Sequence, residues 1–85
     1  MRYAVSGEET LRQQLEQSLK ELGDERERIR LQLPLSGAQS HQWAELERRA
    51  LIAELVGRKV TPAARKTVDG TLAAVRAFRE ALFVH

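Results

Sequence analysis

The chain has 85 residues, no cysteine, 14 basic against 12 acidic side chains and 42% hydrophobic residues. That length supports one domain with a small core, and the lack of cysteine excludes a disulfide framework and a thiolate metal site. A reducing, cytoplasmic setting is therefore expected, with stability drawn from helix packing or self-association. No run approaches the roughly 18 apolar residues of a membrane span, and MRYAVSGEET lacks an apolar signal-peptide core, so the expectation is a soluble, unexported protein with no membrane contact.

Residues 1–6 read as a flexible arm. Ser6 and Glu9 have the spacing of a capping box, and Glu8 and Glu9 suit the positive end of a helix dipole, which starts a first helix at about residue 7. Leu11, Leu15, Leu19, Leu22, Ile29 and Leu33 fall on one stripe of that helix, with Arg26 the single charged member of the row. Gly23-Asp24 is the weak point where a kink or a new cap could form, because glycine costs about 1 kcal/mol in a helix interior. Arg28 to Leu35 also alternates in the manner of a half-buried strand. With no second strand to pair with, the helical reading to about Gln32 is preferred, and Pro34 ends it.

Ser36 and Gln39 form another capping box, opening a second helix over about residues 37–58. This helix carries two apolar stripes: Trp43, Leu46, Ala50, Ala53 and Gly57 on one side, Ala44, Leu51 and Leu55 on another, with Ile52 and Val56 as a third contact. Two stripes predict neighbours on both flanks, and the small residues of the first permit close approach; Trp43 is expected to be largely buried beside Leu46 and Ala50. Gly57, followed by Arg58 and Lys59 at the negative helix end, stops the element. Thr61 then caps a third helix with Pro62 in its first turn, running to about residue 83. Ala64, Val68, Thr71, Val75, Phe78 and Leu82 repeat along it at alternating spacings of four and three, which makes this helix the seam that the others must cover.

The fold expected is all-α: one domain, residues 1–85, in an up-down-up three-helix arrangement, either a bundle or a long helical hairpin with a third helix, completed by dimerisation.

The parts of a catalytic site are missing. Ser40 and His41 are adjacent and point about 100° apart on a helix; His41 and Glu45 make at most half of a metal site; no glycine-rich phosphate loop is present. The reading is a non-enzyme without metal or cofactor. The run from Asp24 to Arg30 alternates sign and reads as a solvated face with local ion pairs.

Two constellations carry more weight. Arg58, Lys59, Arg65 and Lys66 surround the turn before the third helix with no acid among them, a candidate anion or nucleic-acid contact. Residues 34–85 hold eight basic against five acidic side chains, whereas residues 1–33 hold six against seven. Ala53 and Gly57 resemble the first helix and tight turn of a helix-turn-helix, but Arg58 and Lys66 stand where that motif needs apolar side chains. Thr61-Pro62-Ala63-Ala64 and Leu72 to Phe78 resemble stretches of the helical arm-side domain of tyrosine recombinases, without its enzyme's catalytic residues, and no family follows from them.

The second constellation is surplus apolar surface. Trp43, Leu46, Ala50, Ala53, Leu51 and Leu55, with Phe78, Leu82, Phe83 and Val84, exceed what a thin bundle buries and form a candidate partner surface. The function expected is a small helical interaction or assembly module, adaptor-like or chaperone-like, that self-associates or binds a helical protein. The alternative is a nucleic-acid-binding accessory protein using the basic turn.

Overall fold

Helix α1 covers Gly7–Arg30, α2 covers Gly37–Val56 and α3 covers Pro62–Leu82. The structure, a computed structural model, describes residues 7–31 and 34–82. The expected arm at residues 1–6, the Ser6 cap, Leu33, Phe83 and Val84 lie outside the described residues, among which there is no strand.

The helix ends follow local chemistry. At α2 the Ser36 Oγ accepts the Gln39 N–H (3.1 Å) while the Gln39 side chain accepts the Ser36 N–H (2.9 Å), completing the capping box. At α3 the Thr61 Oγ1 accepts the Ala64 N–H at 3.0 Å, and Pro62 occupies the first helical position. Helix α1 runs through Gly23 unbroken, so no separate helix starts at Asp24; residues 28–30 are helical, and Leu31 makes a last turn by donating to the Glu27 carbonyl (3.1 Å).

Helix α3 lies in the middle. Pairs between α1 and α3 advance together along both helices, Gln14 with Arg65, Ser18 with Asp69, Glu21 with Arg76 and Glu25 with Arg79, so these two helices run parallel. Helix α2 runs antiparallel to both. The core joins Leu15, Leu22 and Ile29, seven residues apart on α1, to Ala50 and Ala53 of α2 and Ala64, Val68, Leu72 and Val75 of α3. Each large aliphatic side chain among these contributes about 2 kcal/mol by leaving water. The buried Thr71 hydroxyl is satisfied by the Thr67 carbonyl (3.0 Å).

The run from Asp24 to Arg30 departs from the solvated face expected of it. Local pairs do form, Arg28 with Glu25 and Arg30 with Glu27, but Glu25 is buried and also receives Arg79 and Arg76 of α3. Arg26, its side chain 11% exposed, crosses to α2, where it meets Glu47 at 2.8 Å and Glu54 at 2.6 Å. Arg30 reaches the same Glu47 at 3.0 Å. Charge thus links α1 to both neighbours, with every carboxylate in the cluster facing a guanidinium. Hydrogen bonds from Gln17 and Arg76 hold the Glu21 carboxyl below the usual glutamate range, and the bond to Glu47 raises Arg30 further above neutrality.

Gly57 caps α2 in right-handed geometry (φ −66°), so it is not required for a left-handed turn. Its reason is space: a Cβ there would meet the Ala53 carbonyl oxygen and a Leu19 methyl, each at 3.1 Å. At the opposite end Trp43 stacks on Phe78, with ring centres 5.9 Å apart and planes 17° apart. The indole packs against the core, whose end it closes, and keeps only a minor part of its surface in solvent.

Candidate interaction surface

The two stripes of α2 have opposite fates. The inward one is made of small residues at its centre: Ala50 and Ala53 are fully buried, Trp43 and Leu46 pack against the core, and Phe78 and Leu82 of α3 join them. These six candidates serve the chain's own interior. Phe83 lies outside the described residues. The outward stripe is left exposed among the described residues, contrary to the expectation of contacts on both flanks. Leu51 is 55% exposed and Leu55 58%, and Ile52 beside them is 53% exposed. At 100° per residue Leu51, Leu55 and Ile52 span about a 100° arc, with the exposed Ala44, Arg48 and His41 inside it. That is the width of the apolar stripe of an amphipathic helix.

The two outcomes share one cause. Helix α3 presents Ala64, Val68, Thr71 and Val75 toward its neighbours. Small residues on α2 let the backbones approach, while Glu47 and Glu54 turn toward α1 to meet Arg26, and the large aliphatics are left on the far side. Sequence periodicity finds both stripes but cannot rank them, since the ranking depends on the size of side chains on another helix.

The basic turn is less uniform than its sequence suggests. Arg65 is engaged: it donates to Asp69 at 3.2 Å and to the Gln14 side chain, helping to dock α1 on α3. Asp69 in turn accepts the Ser18 hydroxyl at 2.7 Å. Arg58, Lys59 and Lys66 are exposed and make no ion pair among the described residues. A fourth such cation, Arg49, was not singled out in the sequence; Glu45, four residues before it, pairs with Arg48 instead. Arg49 and Lys66 both line a shallow groove between α2 and α3, together with Ile52, Thr67, Gly70 and Thr71. Gly70 also borders a second groove on the α1 side, with Leu11, Pro62, Arg65, Lys66 and Asp69.

The helix-turn-helix resemblance does not extend to the structure. Helices α2 and α3 lie alongside one another from the turn to the Trp43–Phe78 stack, whereas the motif crosses its two helices at about 90–120°. Among the described residues no group of three acidic or histidine side chains could hold a metal ion, and no helix is long and apolar enough to cross a membrane. No protein-family model, curated protein or solved structure matches the chain.

Proposed function

We propose that this chain is a small protein–protein interaction module, not an enzyme, and that it engages a helical partner through the outer face of α2. The observation that supports this reading is the exposure of Leu51, Ile52 and Leu55 on a helix whose buried face is built largely from alanine. Scattered exposed aliphatic residues need no explanation, but three adjoining ones on one arc form a patch of the kind that marks interfaces. A photoreactive side chain installed at position 55 tests it in the source cell. The expected product is an adduct heavier than the monomer that disappears when Leu51 and Ile52 are changed to Gln. Recovery of uncrosslinked monomer alone ends the proposal.

A second reading, contact with nucleic acid, has its own support in the cations Arg49, Arg58, Lys59 and Lys66, which make no ion pairs among the described residues. If phosphates are the ligand, affinity is independent of sequence and falls with salt with a log-log slope of about −0.9 per phosphate engaged. A mobility shift with duplex and single-stranded probes at low salt measures this directly.

A further inference from the structure

We infer that the occupant of the α2 face and the adjoining α2–α3 groove is an acidic amphipathic helix of another protein, an inference that rests on the interaction-module reading and names its partner class. The argument is one of charge and size. Around this end of the molecule the acids are already engaged by the chain itself: Glu45 by Arg48, Glu47 by Arg26 and Arg30, Glu54 by Arg26, and Asp69 by Arg65 and Ser18. The cations Arg49, Arg58, Lys59 and Lys66 are not engaged among the described residues. Positive charge without a counter-charge therefore adjoins an exposed apolar arc, and the complementary surface is apolar with acidic edges.

The groove adds shape. Ile52 stands at its α2 wall, Arg49 and Lys66 flank it, and Thr67 with Gly70 lines it. A Cβ at Gly70 would touch nothing within 4 Å, so the glycine is not needed for internal packing; it keeps open a space in which a partner backbone can come close. A nucleic-acid backbone has no use for Ile52 between two cations, nor for Leu51 and Leu55 beside them, whereas an amphipathic helix uses both kinds of group at once. Among its described residues a second copy of this chain supplies no such helix. The outer face of α1 carries Glu16, Lys20, Asp24 and Glu27 with a single exposed apolar residue, Leu31, at its very end and no apolar stripe, and the outer face of α2 is itself cationic.

The test uses the intact chain and synthetic helical peptides of about 20 residues, the length of α2, with leucines at i, i+3, i+4 and i+7 and either glutamate or lysine at the flanking positions. Titration calorimetry is expected to show the glutamate peptide binding at least tenfold more tightly than the lysine peptide, with affinity falling as salt rises. The charge reversals Arg49→Glu and Lys66→Glu together invert that preference. Gly70→Gln fills the open space and weakens glutamate-peptide binding at least tenfold while the thermal midpoint holds or rises, because nothing in the fold collides with the new side chain. Equal affinity for the two peptides, or no binding of either while the position-55 adduct still forms, overturns this inference and leaves the interaction-module reading standing. Loss of the adduct as well overturns both. A dimer in sedimentation that Leu55→Glu dissociates, or salt-sensitive binding of duplex DNA in place of the peptide, assigns the surface elsewhere and equally overturns the inference.

Discussion

Helices α1 and α2 both lie on α3, and they distribute their side chains in opposite ways. Helix α1 turns its large residues inward, Leu15, Leu22 and Ile29 at a strict seven-residue interval, and shows solvent a charged outer face. Helix α2 turns alanines inward and leaves Leu51, Ile52 and Leu55 outside. A helix selected only to stabilise this fold would resemble α1. The inversion in α2 is the contrast on which the proposed interaction surface rests.

The largest test of that contrast compares leucines. Leu22→Ala removes a fully buried side chain and is expected to cost about 3 kcal/mol, most of the stability of a domain this small, whereas Leu51→Ala or Leu55→Ala should fall within about 0.5 kcal/mol. Urea unfolding followed by helical circular dichroism measures all three, and similar losses at positions 22 and 51 would break the contrast. Gly57→Val comes next, at about 2 kcal/mol, because the added methyls must displace the Ala53 carbonyl or Leu19. It sharpens the comparison by testing whether α2 needs small residues on its inner side. Gly23→Ala works in the other direction. A Cβ there meets open space, so the midpoint should rise by the equivalent of up to about 1 kcal/mol.

The smallest effect concerns pH. The Glu21 carboxyl sits below its ordinary value because Gln17 and then Arg76 donate to it. A group with a lowered folded pKa contributes stability that is present above the unfolded value and lost as pH falls through the folded one. Glu21→Gln should accordingly lower the neutral plateau slightly and flatten the loss of stability as pH falls through and below the usual glutamate range, leaving the strongly acidic end nearly unchanged, which thermal melts at a series of pH values would show. A steeper acid limb in the variant would contradict the assignment.

Several of these elements could be read in the sequence because their causes are local. The Ser36–Gln39 capping box and the Thr61-Pro62 helix start depend on residues at most three apart, and the α3 seam declares itself by its own periodicity. The fate of the charged run could not be read that way. Glu25 is buried because Arg76 and Arg79 arrive from 51 and 54 residues away, and no local spacing announces them. Arg65 looks free beside Lys66 until α1 brings Gln14 against it. Arg49 stayed hidden because its neighbour Arg48 takes Glu45. The choice between the two α2 stripes likewise needs the small side chains of α3, which sit on another segment.

The parallel course of α1 and α3 also fixes an order of events as the chain is made. The side-chain pairs that lock these helices span 51 to 55 residues, so the main seam requires closure of a loop longer than half the molecule. The α2–α3 hairpin, joined by a turn of a few residues, can close early and fast. Of the three helices, α1 is synthesised first, and its seam with α3 is the one with the longest loop to close. From the moment α1 leaves the ribosome until α3 emerges, Leu15, Leu22 and Ile29 have only α2 of the finished core to cover them. For that interval, the helix that is best buried in the finished fold is the one most open to capture by other proteins.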